Sequence, residues 1–354
     1  MKNSVETLLA NPVSFLAGSD TADEVVISSR IRLARNLNGH PFPGAADEAV
    51  RRETSELIAG AVNAAGLPDQ RPLLDLEPEK LSAIDRGILM ERHLASPDLL
   101  KNPAGTRLIV RQDEGASVMV NEEDQLRIQV LRPGSCLPEL WQEINAIDDA
   151  LAANLDFAFD DRLGYLTACP TNVGTGMRAS VMLHLPGLVL SGRIWPTIQG
   201  IGKLNLAVRG IFGEGSDHRG NLFQISNQST LGESESVILE RLQEVISQIV
   251  AHEKKSRSEL LQNDQNGIFD HVGRAFGVLR HSYKLNSEEA LKCLSAVRFG
   301  VDSGLFRKLN VDRVNELFIA IGPAHLQKRA GGELSGAERD VCRAALCREK
   351  LKDV

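Results

Sequence analysis

Five arginines stand where their side chains could serve an anion. Ser28-Ser29-Arg30-Ile31-Arg32 sets two of them two residues apart, so in an extended segment both point the same way. Arg127 follows the acidic run Asn121-Glu122-Glu123-Asp124. Arg178 follows Gly174-Thr175-Gly176-Met177 and reads as the opening of a helix. Arg209 leads into Gly210-Ile211-Phe212-Gly213-Glu214-Gly215. A guanidinium stays charged at any physiological pH and donates paired hydrogen bonds to phosphate oxygens. Several converging, with glycines admitting backbone N–H groups, would neutralise a triphosphate. Taken singly, each is better explained as a surface residue or a helix-cap partner.

The acidic run offers the complementary chemistry. Consecutive acids between two strands are ordinarily a solvated hairpin tip. Here one carboxylate could instead bind a cationic substrate and take its proton, with Glu214 supplying a second. A guanidinium suits such a pair, because each carboxylate accepts two parallel N–H bonds. It is also a poor nucleophile, protonated and delocalised, so phosphorylating it requires orientation and a general base. The common phosphate-binding devices are missing: Gly200-Ile201-Gly202-Lys203 is followed by Leu204 rather than Ser or Thr, and no VAIK, HRD or DFG occurs. Gly174–Ala179 fits the dinucleotide pattern G-x-G-x-x-A, but Gly192–Leu206 contains no acid to hold a ribose.

The elements that must position these residues divide the chain. Short β-rich runs at 106–111, 117–120 and 126–131 read as neighbouring antiparallel strands, with further strands at 165–168, 206–209 and 222–226. Residues 47–66 read as an amphipathic helix ending at Gly66. Helical stretches are expected at 138–155 and 177–203, the second broken or bounded by Pro186 and Pro196. Ile238, Leu242, Val245 and Ile249 form one stripe of a long helix over 233–262. The polar run 263–267 reads as a linker, and beyond it only helices are expected, at about 268–280, 287–299, 311–321 and 336–352. The expected architecture is therefore α+β: a catalytic domain over 1–257, with an antiparallel sheet flanked by helices, and an all-helical domain over 258–354.

Composition narrows the function. A net charge of −7 over 354 residues gives no basic field for nucleic acid. No 18-residue apolar stretch or secretory signal is evident. The five cysteines are scattered without a CxxC pair, and no histidine pair has metal-ligand spacing. This fits a reducing, cytoplasmic setting without a protein-built metal site.

Taken together, SSRIRLARN at 28–36, MERHLAS at 90–96, NEED at 121–124 with Arg127, CPTNVGTGMRASVMLHLP at 169–186 and RGIFGEGS at 209–216 resemble the guanidino (phosphagen) kinases. The resemblance spans roughly residues 25–257. It implies that Arg30, Arg32, Arg127, Arg178 and Arg209 clamp the phosphates of ATP, with His93 beside the nucleotide. Its nucleotide-binding segments carry over to Ser28, Ser29 and Ile31, to Ala179, Ser180, Val181 and Met182, and to Gly210, Ile211, Phe212, Gly213 and Glu214. It implies that Glu123 is the leading catalytic carboxylate with Glu214 its partner, that Glu122 supports the acidic pocket, and that Cys169 meets the guanidinium as a thiolate. Gln125 departs from the pattern, standing where the family commonly has His.

The layout resembles one branch in particular, the bacterial protein-arginine kinases: only 27 residues precede Ser28, and the extra helices follow the catalytic part. Arg339-Asp340-Val341-Cys342-Arg343-Ala344 matches the RDxxRA pattern by which that branch binds phosphoarginine at an allosteric site, through Arg339, Asp340, Arg343 and Ala344 here. Arg339 and Arg343 are four apart on a helix, where like charges repel until an anion joins them. The resemblance further implies Mg²⁺ entering with ATP, a homodimer through the C-terminal domain, and protein partners: a zinc-binding activating adaptor, a heat-shock repressor and a Clp-type unfoldase. Two other readings stay open: a kinase of a free guanidino metabolite, and a phosphoarginine-binding adaptor.

Overall fold

Alternation along the strands decides which residues meet. The computed structural model describes residues 5–16, 25–67, 71–210 and 219–354. Its strands are β1 (Val26–Arg35), β2 (Leu73–Leu76), β3 (Arg107–Arg111), β4 (Ala116–Val120), β5 (Leu126–Pro133), β6 (Phe159–Asp160), β7 (Gly164–Tyr165), β8 (Met177–His184), β9 (Leu206–Gly210) and β10 (Leu222–Asn227). Eight form one sheet in the order β2-β3-β4-β5-β1-β8-β10-β9, and β6 and β7 make a separate hairpin. Every pairing in the large sheet is antiparallel.

One face of this sheet is largely apolar. Ile31, Leu33, Ile109, Val118, Ile128, Val130, Ala179, Val181, Phe223 and Ile225 are buried there. Helices Glu48–Ala65, Leu137–Ala152 and Glu235–Asn263 cover them with Ile58, Val62, Leu140, Ile144, Ile238 and Leu242. Each such side chain contributes about 1.5–3 kcal/mol through burial. The first helix starts where Asp47 accepts the Val50 N–H (2.9 Å) and stops at Gly66, whose φ of 64° is the left-handed conformation glycine tolerates.

A buried ion pair pins β1 to this helical layer. Arg35 donates to Asp148 at 2.7 Å and to the Thr175 carbonyl at 3.0 Å, and its guanidinium lies 3.4 Å from the centre of the Tyr165 ring. Asp148→Ala would leave that charge buried and unpaired. A loss of about 3–5 kcal/mol in the free energy of unfolding is expected, read from urea denaturation.

The opposite face is divided. Helix Ala83–Glu91 packs Ile88 and Leu89 against Leu74, Leu108, Val110 and Met119 on the β2–β4 side. Leu131, Met182 and Leu222 instead join Phe15, Leu16 and the C-terminal helices in a second core. Between these two coverings the face is polar. The C-terminal helices are Gln265–His281, Ser287–Asp302, Val311–Ala320, Pro323–Ala330 and Gly336–Lys350. No helix among the described residues is long and apolar enough to cross a membrane.

The α+β class, the sheet and the helical C-terminal region match the expectation, but several elements differ. Residues 177–184 form strand β8 rather than the start of a helix, so Arg178 lies in the sheet. β8 is largely buried on both faces, and Met182 interrupts the polar alternation of Arg178, Ser180 and His184, which weakened the mark of a half-exposed strand. Pro186 and Pro196 instead sit in the first turns of helices Pro186–Leu190 and Ile194–Gly202, where a missing N–H costs nothing. The strand expected at 165–168 shrinks to β7. Residues 263–267 are no linker: Asp264 alone separates two helices and caps the second through the Gly267 N–H (3.0 Å). Helix Glu235–Asn263 runs through residue 257 without a break. The short helix Pro323–Ala330 was not anticipated.

Candidate active site

Cross-strand register gathers the arginines. Arg32 lies opposite Arg178 of β8 and Gln129 of β5, and Arg30 lies opposite Ser180 and Leu131. Arg127 faces Ala34, and Arg209 faces Gln224, which in turn faces Met182. Directly paired residues project to the same side. All five arginines therefore share the polar face, away from the helical layer. A bulge between Val26 and Ser28 brings Ile27 to this side as well.

Among the described residues, Arg30, Arg32 and Arg178 have no acidic partner. Burial, then repulsion from Arg178 and Arg127, pushes the Arg30 guanidinium down to about 10. Arg32 is held well below its ordinary value by burial and by Arg30, Arg127 and Arg178, opposed by Glu122. Burial and the neighbouring Arg209 and Arg127 lower Arg178 too. Neutral partners hold two of them: Arg30 donates to Gln224 (3.0 Å) and Arg178 to Ser226 (3.1 Å). The Nε atoms of Arg32 and Arg178 are buried without a hydrogen-bond partner. Buried donors of this kind are costly to leave unmade. Such an arrangement suits a multiply charged anion.

At the upper end of the row the acidic turn is ordered. Glu122 is shielded from solvent, and one carboxylate oxygen takes Arg127 at 2.5 Å and the Ser96 hydroxyl at 2.5 Å. Glu123 is exposed and makes a long contact to Arg127, 3.3 Å. Desolvation raises its pKa, reinforced by Asp124 and Glu122 and opposed by Arg127. Asp124 is fully buried and accepts from Asn36 (2.6 Å) and the Ala168 N–H (2.7 Å). That second bond fastens the turn to the segment carrying Cys169, whose half-buried Sγ lies 3.0 Å from the Thr171 hydroxyl. Gln125, buried, accepts from the Leu37 N–H (2.6 Å) and donates to the Pro41 carbonyl (3.1 Å). Its role here is to hold the chain leaving β1.

His93 lies lower on the same face. Its backbone is left-handed (φ 59°), its carbonyl accepts from Gln129 at 2.9 Å, and its ring lies 4.9 Å from that of Phe15. Burial and Arg30 push its imidazole down to about 3, so it is neutral at working pH.

Some expected residues do not reach this face. Ser29 is buried on the other side, donating to the Gly134 carbonyl (2.8 Å). Ile31, Ala179 and Val181 are in the helical core. Alternation forbids their side chains from touching a ligand held by Arg30, Arg32 or Arg178. Ser28, Ser180 and Met182 are on the arginine side by register, and Gly210 ends β9 opposite Phe223. Ile211, Phe212, Gly213 and Glu214 lie outside the described residues. Gln129, Gln224, Ser226 and Ser96 were overlooked. The alternation in Leu222-Phe223-Gln224-Ile225-Ser226 was a signal for two of them, but only pairing with β8 gives it meaning.

In the C-terminal motif, Arg339 donates to the Leu334 carbonyl (2.7 Å). Arg343 is fully buried, bonded to the carbonyls of Ile321 (3.1 Å) and Leu285 (2.7 Å) and to Asp340 (2.6 Å). The repulsion expected between the two arginines is thus offset within the motif by Asp340. Ala344 is buried in the second core.

Comparison with known proteins agrees with this geometry. Residues 55–256 match the family described as ATP:guanido phosphotransferase, C-terminal catalytic domain, and residues 265–354 match the protein-arginine kinase McsB C-terminal domain. Similar curated proteins include the protein-arginine kinase of Halothermothrix orenii, 44% identical over 95% of this chain and 96% of that protein. The protein-arginine kinase of Moorella thermoacetica is 46% identical over 95% and 97%. Among solved structures, a lombricine kinase superposes with a TM-score of 0.58 at 24% identity, covering 68% of this chain and 70% of that one. The duplicated taurocyamine kinase of Schistosoma mansoni, with bound transition-state analog components, gives 0.58 at 27% identity over 69% and 36%. With a sheet face built for an anion, an acidic turn at its head and matches across nearly all its length, this chain belongs to the ATP:guanido phosphotransferase family, in the branch formed by the protein-arginine kinases.

Proposed function

We propose that this chain transfers the γ-phosphoryl group of ATP to the guanidinium of arginine residues in proteins. The observation that carries the reading is the polarity of one sheet face. Unanswered arginines fill its middle, the carboxylates of Glu122 and Glu123 stand at its head, and an apolar recess beside His93 lies at its foot. A triphosphate on the arginines would direct its γ end toward Glu123. A guanidinium nitrogen there attacks the γ phosphorus, the bond to the ADP oxygen breaks, and the guanidinium proton passes to Glu123. Glu122 orients Arg127 and Cys169 meets the guanidinium, and Glu214, outside the described residues, is the second carboxylate of this reading. Rate acceleration then comes from positioning and from charge placed in advance.

Arginines cannot ligate a cation, and among the described residues no group of three or more His, Cys, Asp or Glu is placed to hold one. Mg²⁺ arriving with the nucleotide would sit on phosphate oxygens and offset their charge. In this reading residues 1–257 are catalytic, and 258–354 dimerise and bind phosphoarginine near Arg339, Asp340, Arg343 and Ala344. The protein is cytoplasmic. Its products are recognised by Clp-type degradation, and its partners include a zinc-binding adaptor and a heat-shock repressor. The names of the relatives support the protein substrate, and the RDxxRA motif supports the phosphoarginine site.

The test is phosphotransfer from labelled ATP to an unfolded arginine-rich protein and, separately, to free arginine, worked up without acid to preserve the P–N bond. Acid-labile label on the protein is the expected result. Label on free arginine alone would assign a metabolite kinase, and label on neither would leave a phosphoarginine-binding adaptor.

A further inference from the structure

The catalytic sheet and the C-terminal helices meet beside His93. Helix Ala83–Glu91 approaches helix Pro323–Ala330 so closely that a Cβ added to Gly87 would stand 2.7 Å from the Cβ of Ala324. Glu91, the last residue of the first helix, accepts from the N–H groups of Ala324 (2.7 Å) and His325 (3.0 Å) and from His325 Nδ1 (2.6 Å). A Cβ on Gly322 would fall 2.5 Å from that same carboxylate. Lys328 adds a contact to Asp85 at 2.8 Å. His93 follows Glu91 by two residues, so this clasp sets where its ring lies.

The recess at the foot of the arginine row is built from both parts. His93, Met182 and Leu222 come from the catalytic half, and Asn315, Phe318 and Ile319 come from helix Val311–Ala320. His93 and Asn315 are the polar members of an otherwise apolar lining. Asn315 is tied to the catalytic side by a bond to the Leu16 carbonyl, 3.4 Å. From Arg32 down to Ile27 the strand covers about 16 Å at its usual rise, the length scale of an extended nucleoside triphosphate. The cavity is about 30 Å³, room for a water and not for a purine. A base entering beside His93 must therefore displace part of the wall.

We infer that the nucleotide's base is bound across the two halves of the chain, with Phe318 and Asn315 as base-positioning residues supplied by the C-terminal helices and Glu91 as the residue that fixes them against His93. This rests on the reading that the arginine row binds ATP. It makes the C-terminal helices part of the nucleotide site as well as an appended module. Base binding shifts helix Val311–Ala320, and its C-cap Ile321 is the residue whose carbonyl Arg343 holds. By linkage, whatever moves that helix alters nucleotide affinity by the same factor.

The experiment uses the full chain and two probes, ATP and inorganic tripolyphosphate, titrated by calorimetry. Phe318→Ala and Glu91→Gln should each weaken ATP about tenfold, a change of about 1.4 kcal/mol, while tripolyphosphate binding is unchanged. Arg32→Leu should weaken both probes. In the unmodified chain, hydrogen exchange over 311–330 should change with ATP and not with tripolyphosphate, a readout that needs no variant to fold. If Arg32→Leu affects neither probe, the nucleotide reading itself fails. If it weakens both, yet Phe318→Ala and Glu91→Gln leave ATP affinity intact or exchange over 311–330 ignores ATP, the shared base site alone is overturned.

Discussion

Arg32→Leu is expected to yield a chain that is more stable and nearly inactive. Arg32 lies in the middle of β1 beside Arg178, its Nε is buried without a partner, and three other arginines repel it. Its folded-state pKa is depressed below the unfolded value. The folded chain therefore holds that proton less tightly, and the charge opposes folding at every pH below the folded pKa, working pH included. Replacing buried charged groups by apolar side chains of similar volume is often neutral or stabilising by about 1–4 kcal/mol, and Arg32 lacks even the ion pair that such replacements give up. A rise of roughly 1–2 °C in Tm per kcal/mol follows from an unfolding entropy of about 2 cal/mol/K per residue in a chain of 354 residues. The same change removes a phosphate contact, so phosphotransfer should fall by about 10²–10³. Arg52→Leu is the control, because Arg52 pairs with Glu48 and Glu79 at the surface, where such pairs contribute about 0–1 kcal/mol. Scanning calorimetry and a phosphotransfer assay decide the matter. A less stable Arg32→Leu chain with normal ATP affinity would mean that the row is not an anion site.

Glu123→Gln should lower kcat by about 10²–10⁴, the range for loss of a general base, while ATP affinity stays near normal. Desolvation already raises the Glu123 pKa, which makes it a better proton acceptor than an ordinary carboxylate. The sign of the pH dependence follows. The active, deprotonated form prevails above the raised pKa and disappears as pH falls through it, so the acid limb of kcat should lie above the usual carboxylate range and vanish in the variant. Glu122→Gln should behave differently. Glu122 is shielded and paired to Arg127 and Ser96, so its loss leaves Arg127 with the long contact to Glu123 and lowers stability along with rate. Equal effects of the two substitutions on kcat, stability and pH profile would show that the acidic turn does not divide its work in this way.

Much of this was readable from local chemistry. Arg30 and Arg32, two apart in a β-rich run, already implied a shared direction, and the structure confirms it because strand alternation is a local property. The helix at 48–65 announced itself through its amphipathic pattern and Gly66, and the stripe through Ile238, Leu242, Val245 and Ile249 marked the long helix that the second half of the chain builds on. Arg178 was misplaced for an equally physical reason. β8 is largely buried on both faces, and Met182 interrupts the alternation of Arg178, Ser180 and His184, so a short and mostly apolar run did not distinguish a strand from a helix.

Residue types and short spacings in the sequence determined the chemistry available, which is arginines for an anion, acids for a guanidinium and an RDxxRA helix. They also determined the local elements, since caps and periodicity act over a few residues. Only the tertiary structure decided which alternate residues of each strand face the arginines, that Gln224 and Ser226 rather than acids partner Arg30 and Arg178, and that Gln125 holds a loop. It alone decided that Glu91 clasps Ala324 and His325 and that Phe318 and His93 line one recess. These outcomes depend on strand order, register and helix docking between residues up to hundreds of positions apart, and such long-range choices are set by the burial energy of whole surfaces, which no short stretch of sequence contains.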